Sequence, residues 1–180
     1  MKTKAEIIDD IIRKEGGDKF TDDPADSGGA TRWGVTEKRA RQSGYAGDMR
    51  TMPRSVAEQI YAEDYWDVVR GDDLAALSPA VAFEVVDTGV NMGPARAVSF
   101  LQRALNVFNV GGRLYDDMKV DGLAGPVTVN ALEDYLAARS EAALLKALNC
   151  LQGAAYIELA ERREKDERFV YGWIQQRVKL

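Results

Sequence analysis

The stretch Lys4-Ala5-Glu6-Ile7-Ile8-Asp9-Asp10-Ile11-Ile12-Arg13-Lys14-Glu15-Gly16-Gly17 decides the fold class. Its isoleucines at 7, 8, 11 and 12 mark one face of a 3.6-residue period and predict a helix over 4–15. Gly16-Gly17 ends it, because glycine takes the left-handed backbone that closes helices at little steric cost.

Working outward, the same alternation of periodic run and breaker recurs. Thr36 can cap a helix over 37–43, closed by Gly44. Pro53 sits at a helix start, and Ser55-Val56-Ala57-Glu58 has capping-box spacing, ahead of Ile60, Tyr61, Tyr65 and Trp66. Pro79 opens a helix with Val81, Val85 and Val86 as apolar positions, broken at Gly93-Pro94. Val98, Leu101, Leu105 and Phe108 mark an amphipathic helix over 95–108. Further helices are expected over 126–138, 141–164 and 167–178. Residues 18–35, rich in Asp, Gly, Thr, Ser and Pro, read as an ordered loop or small irregular hairpin. Residues 109–125 read as a second loop, with Gly111-Gly112 and Asp121-Gly122. The expectation is a mostly α fold in a single compact unit, as no linker separates its halves.

The 180 residues contain no histidine and one cysteine, Cys150. An intrachain disulfide is impossible, and histidine-based catalysis and most zinc sites are excluded. No metal and no cofactor are expected; the spaced acids of a calcium loop are missing. Cys150, beside Leu151 in an apolar helix, reads as a buried small residue. The net charge of −5 argues against nucleic acid as a partner. The N-terminus lacks signal-peptide character, and no apolar run is long enough for stable membrane insertion. The chain is expected to be made, and to stay soluble, in a cytoplasm.

Catalysis would then rest largely on carboxylates. Glu15 closes the first helix, where the partial negative charge of the helix end favours a protonated carboxyl. A glycosidase general acid needs that property. A second carboxylate would come from the following loop, where Asp18, Asp22, Asp23 and Asp26 all lie. Spacing alone does not choose among them.

The string Glu15-Gly16-Gly17, Asp22-Asp23-Pro24-Ala25-Asp26-Ser27-Gly28-Gly29-Ala30-Thr31, Trp33-Gly34-Val35-Thr36 resembles the N-acetylmuramidases of glycoside hydrolase family 108. The likeness continues through Ile60-Tyr61, Tyr65-Trp66, Phe83 and Asp87-Thr88-Gly89-Val90-Asn91-Met92-Gly93. Asp18 stands where that family usually carries an aromatic residue. The order Glu…Asp…Thr also resembles the catalytic trio of tailed-phage lysozymes. The resemblance implies a lysozyme-like helical fold, with Glu15 as general acid, Asp26 as the second carboxylate and Thr31 positioning water. Thr36 is the rival hydroxyl, though a helix cap explains it. Trp33 is the candidate for stacking on sugar, and Asp87 and Asn91, one turn apart, for the cleft floor. Tyr61, Tyr65 and Trp66 read as core, with stacking of one of them on a sugar ring as the alternative.

Val120-Asp121-Gly122-Leu123-Ala124-Gly125-Pro126-Val127-Thr128, with Ala131-Leu132, resembles the signature of predicted peptidoglycan-binding modules. Phe169-Val170-Tyr171-Gly172-Trp173 resembles the end of the module that accompanies the muramidases. The expected division is a catalytic region over 1–93 and a helical module over 94–180. Together the resemblances imply a phage-type endolysin. It would act as a monomer on peptidoglycan glycan strands, leave the host cytoplasm through a holin pore and act on the wall in the periplasm. A non-catalytic wall-binding or structural phage protein and a lytic transglycosylase are the alternatives.

Overall fold

The structure, a computed structural model, describes residues 2–22 and 28–178. Its fold is mostly α and lysozyme-like, with one small three-stranded sheet among the described residues. By contact the chain divides into two compact units, between Val68 and Val69.

The first unit opens with α1 (Lys4–Lys14). Thr3 and Glu6 form a reciprocal capping box at its start, which also holds the Glu6 carboxyl below its ordinary range. Ile7, Ile8, Ile11 and Ile12 are all buried, each contributing about 2 kcal/mol of hydrophobic stabilisation. Two-residue strands β1 (Phe20–Thr21), β2 (Thr31–Arg32) and β3 (Val35–Thr36) follow in antiparallel order. Thr36 then accepts a hydrogen bond from the Arg39 amide and caps α2 (Glu37–Gln42). After a 3-10 turn at Met49–Thr51, α3 (Arg54–Tyr61) runs into a π-helical turn at Ala62–Trp66. Tyr61 and Trp66 are buried, as expected, but Tyr65 is only half-buried. The π turn shifts the helical register there, so core periodicity does not carry through to Tyr65.

The second unit comprises α4 (Gly71–Leu77), α5 (Pro79–Met92), α6 (Pro94–Phe108), α7 (Pro126–Ala138), α8 (Glu141–Arg162) and α9 (Glu167–Arg177). The short α4 is not legible in the sequence: it is flanked by Arg70 in a left-handed conformation and buries only Gly71 and Leu74. Cys150 is exposed, not buried. It shares the outer stripe of α8 with Lys146, Ala154 and Ile157, all solvent-facing.

The loop between α6 and α7 is held by one face of α6. Gln102 donates to Asp121 Oδ1 (3.0 Å), the Leu123 carbonyl (3.2 Å) and Thr128 Oγ1 (3.3 Å). Its oxygen accepts from the amides of Asp121 (3.1 Å) and Gly122 (3.0 Å). One turn on, Asn106 exchanges two hydrogen bonds with the backbone of Met118, and Asn109 donates to Asp117. Three side-chain amides therefore do for this loop what a neighbouring strand would do.

Candidate active site

Glu15 is the C-cap residue of α1 and is half-buried. The helix closes in a Schellman arrangement: the Gly17 amide bonds the Ile12 carbonyl (2.9 Å), and the Gly16 amide bonds Arg13 (3.4 Å). Gly16 and Gly17 both have positive φ, so the two glycines supply the turn that their place in the sequence predicts.

Opposite Glu15 lies the β2–β3 hairpin. Arg32 pairs with Val35 and Thr31 with Thr36, leaving Trp33-Gly34 as a two-residue connection. Both have positive φ (55° and 75°), the sign pattern of a type I′ turn. Glycine is required at 34 for a second reason. A Cβ there would sit 2.8 Å from Glu15 Cβ and 2.5 Å from the Tyr61 hydroxyl. That hydroxyl donates to the Trp33 carbonyl at 3.4 Å. Trp33 itself is half-buried; its indole N–H donates to the Met52 carbonyl at 3.0 Å, and the Arg32 and Arg54 guanidiniums flank its ring. Asp18, in place of an aromatic, pairs with Arg32 and ties the segment after the glycines to β2.

An open cleft of about 320 Å³ results, lined by Lys14, Glu15, Gly16, Lys19, Thr21, Thr31 and Gly34. The structure thus brings Glu15 and Thr31 to one cavity, with Trp33 beside it in the turn rather than among its lining residues. Asp26 lies outside the described residues. On the other side of Gly34, a smaller cleft of about 150 Å³ is lined by Thr36, Arg39, Tyr61 and Tyr65, among others. Arg39 makes a two-pronged pair with Asp64, which raises the guanidinium pKa. Burial pushes the Tyr65 phenol above its ordinary value, and the Asp64 and Glu15 carboxylates push it the same way. Tyr65 is therefore within electrostatic reach of Glu15.

Asp87 and Asn91 lie in the second unit, on α5. Asp87 is 2% exposed, with Arg177 of α9 at 4.0 Å. Asn91 donates back to the Asp87 carbonyl at 2.7 Å, the local bond that a helix-end asparagine readily makes. Sequence reasoning did not select Gly34, Lys14 or Lys19. For Gly34 a signal existed, since a two-residue connection between short strands demands positive φ. For the lysines none did. Among the described residues no cluster of His, Cys, Asp or Glu could hold a metal ion, and no helix is long and apolar enough to cross a membrane.

Residues 8–93 match the family model described as Glycosyl hydrolase 108. That match covers a little under half of the 180 residues. The matched region runs from α1 through the end of α5, so it contains Glu15, the hairpin and both candidate residues of α5. Residues 96–178 match a second model, Predicted Peptidoglycan domain, which takes in α6 through α9 apart from the first residues of α6. The two models meet after α5, whereas the contact units divide before α4. None of the curated proteins compared with this chain matches it. Among solved structures, SagA of Brucella abortus is similar to it in fold, with a TM-score of 0.62, 23% identity and 96% of each chain covered.

Proposed function

We propose that the chain is an N-acetylmuramidase of endolysin type, hydrolysing the β-1,4 bond between N-acetylmuramic acid and N-acetylglucosamine. The observation that carries this reading is the cleft in which Glu15 and Thr31 meet across the Trp33-Gly34 turn. In the proposed reaction Glu15 protonates the leaving glycosidic oxygen, as a positioned carboxylic acid does in this chemistry. The second carboxylate is Asp26, a role proposed from the Glu…Asp…Thr order; Thr31 orients water.

Lys14 and Lys19 favour a charged glycan over a neutral one. Cations in a cleft gain nothing from an uncharged sugar face, but they attract the free carboxylates of a stem peptide, or the lactyl carboxylate of a muramic acid that carries no stem. A peptidoglycan substrate is consistent with the second family model. In this reading the protein acts as a monomer, reaching the periplasmic wall from the host cytoplasm through a holin pore, and its action lyses the cell.

Mass spectrometry of digested peptidoglycan tests the proposal. Products ending in reducing N-acetylmuramic acid are expected. Anhydro-muramic ends would assign a transglycosylase, and an undigested wall would leave a binding protein.

A further inference from the structure

The second unit has a cleft of its own, about 400 Å³, where the α6–α7 loop meets the start of α7. Three charged residues line it: Asp117, Lys119 and Asp121. Two large apolar side chains line it as well, Leu123 at 70% and Val127 at 65% exposure. Both aliphatic side chains stand exposed beside the charges of the same cleft.

The floor is rigid. Gln102, 2% exposed, makes five hydrogen bonds to the far side of the loop. Gly122, at φ +73°, packs so closely on α6 that a Cβ would lie 2.6 Å from the Ala95 carbonyl. The Asp121 carboxylate is oriented by Gln102 and by the Leu123 amide, and both bonds hold its pKa below the ordinary range. Asp117 is likewise held by Asn109. Lys119, exposed, forms no salt bridge among the described residues. Two oriented carboxylates thus share the cleft with one exposed cation, whose charge reaches Asp121, and with two exposed apolar side chains.

Neutral glycan fits this poorly. Sugar faces are held by aromatic plates, and none lines this cleft. The peptide stems of peptidoglycan fit better, since they combine carboxylates, the ammonium of a diamino acid and alanine methyl groups within a few residues. We propose that this cleft binds the peptide stem. Asp117 and Asp121 receive the diamino-acid ammonium, Lys119 a stem carboxylate, and Leu123 and Val127 the methyl groups. The proposal rests on peptidoglycan being the substrate, and it divides the labour: the first unit takes glycan and the second takes peptide.

The test uses the full chain carrying Glu15→Gln, so that no probe is consumed. Three probes are titrated while the amide resonances of residues 117–128 are followed. They are the tetrapeptide L-Ala–γ-D-Glu–meso-diaminopimelate–D-Ala, the same peptide acetylated on its diaminopimelate amine, and the peptide-free N-acetylglucosamine–N-acetylmuramic acid disaccharide. The tetrapeptide should shift these resonances, and acetylation or Lys119→Glu should each weaken it about tenfold, the scale of one lost charge contact. Leu123→Ser, at an exposed position, should weaken it without altering the fold. The proposal is overturned if the disaccharide shifts the cleft as strongly as the tetrapeptide. It is equally overturned if the tetrapeptide leaves the cleft resonances unmoved, or binds the Lys119→Glu chain unchanged. Release of reducing ends from peptide-free glycan by the otherwise wild-type chain, with and without Lys119→Glu, is measured in parallel. If hydrolysis persists while the peptide fails to bind, only this inference falls; if no hydrolysis occurs, the muramidase reading falls.

Discussion

Both units pin a glycine-bearing loop against a helix, but by different means. In the first unit the Trp33-Gly34 turn is pressed onto the end of α1, with no room for a side chain between Gly34 and Glu15. In the second, the loop before α7 is stitched to the C-terminal half of α6 and its cap by Gln102, Asn106 and Asn109. The first arrangement spends steric exclusion and positive-φ backbone on presenting one carboxylate. The second buries an amide and leaves its charged side chains on the rim. Close packing fixes a reacting group to fractions of an ångström, whereas a hydrogen-bonded loop fixes a surface. That difference fits the proposal that the first unit does the chemistry and the second binds.

The comparison breaks most sharply at Gly34. Gly34→Val should cost about 1–3 kcal/mol through positive φ and overpacking. By displacing Glu15 it should also lower activity by about 100-fold. Thermal melts and rates of wall-turbidity clearance would check both. A variant of full activity would show that the hairpin does not set the position of Glu15.

Gln102→Leu sharpens the other side. It strips the partners from the buried Gly122 amide and the Thr128 hydroxyl, so a loss of about 2–4 kcal/mol is expected. Denaturant unfolding reads the loss, and hydrogen exchange should localise it to residues 117–128. Hydrolysis of peptide-free glycan should persist at temperatures where the variant stays folded. Equal losses of glycan hydrolysis and loop protection would mean that the two loops are not separable in function.

The smallest effect is in alkali. Burial lifts the Tyr115 phenol to about 12, and its hydroxyl donates to the Leu105 carbonyl at 2.8 Å. Because the folded value lies above the unfolded one of about 10, this contribution is intact below pH ~10 and is lost as pH rises toward 12. Melting temperature followed from pH 9 to 12 should therefore fall less steeply for Tyr115→Phe than for the wild type. Tyr135, also raised by burial, keeps some of the slope in the variant.

The legibility of the two units in sequence differs for the same reason their loops differ. Helices announced by apolar period and punctuated by proline or glycine were readable: α5, α6 and α7 begin at Pro79, Pro94 and Pro126. The end of α1 at Glu15 was readable because Gly16-Gly17 takes, at little steric cost, the positive-φ backbone that closes a helix. The amide face of α6 was hidden, since Gln102, Asn106 and Asn109 look like solvent-facing positions until the loop they hold has folded back. The lysines of the first cleft were hidden too. Their proximity to Thr31 is a tertiary fact, made by the hairpin and not by spacing along the chain. Trp33 was legible as a stacking candidate through its place in the loop that carries the family resemblance. Its bond to Met52 and the Arg54 guanidinium over its ring depend on segments well downstream.

The central claim is that Glu15 delivers the proton. Glu15→Gln keeps the shape of the side chain and removes its acidity, so it isolates chemistry from packing against Gly34. Reducing-end release from purified peptidoglycan, measured together with thermal unfolding, should show activity reduced by about 10²–10⁴-fold at an unchanged melting temperature. Retention of wild-type activity by the folded Glu15→Gln chain would contradict the assignment.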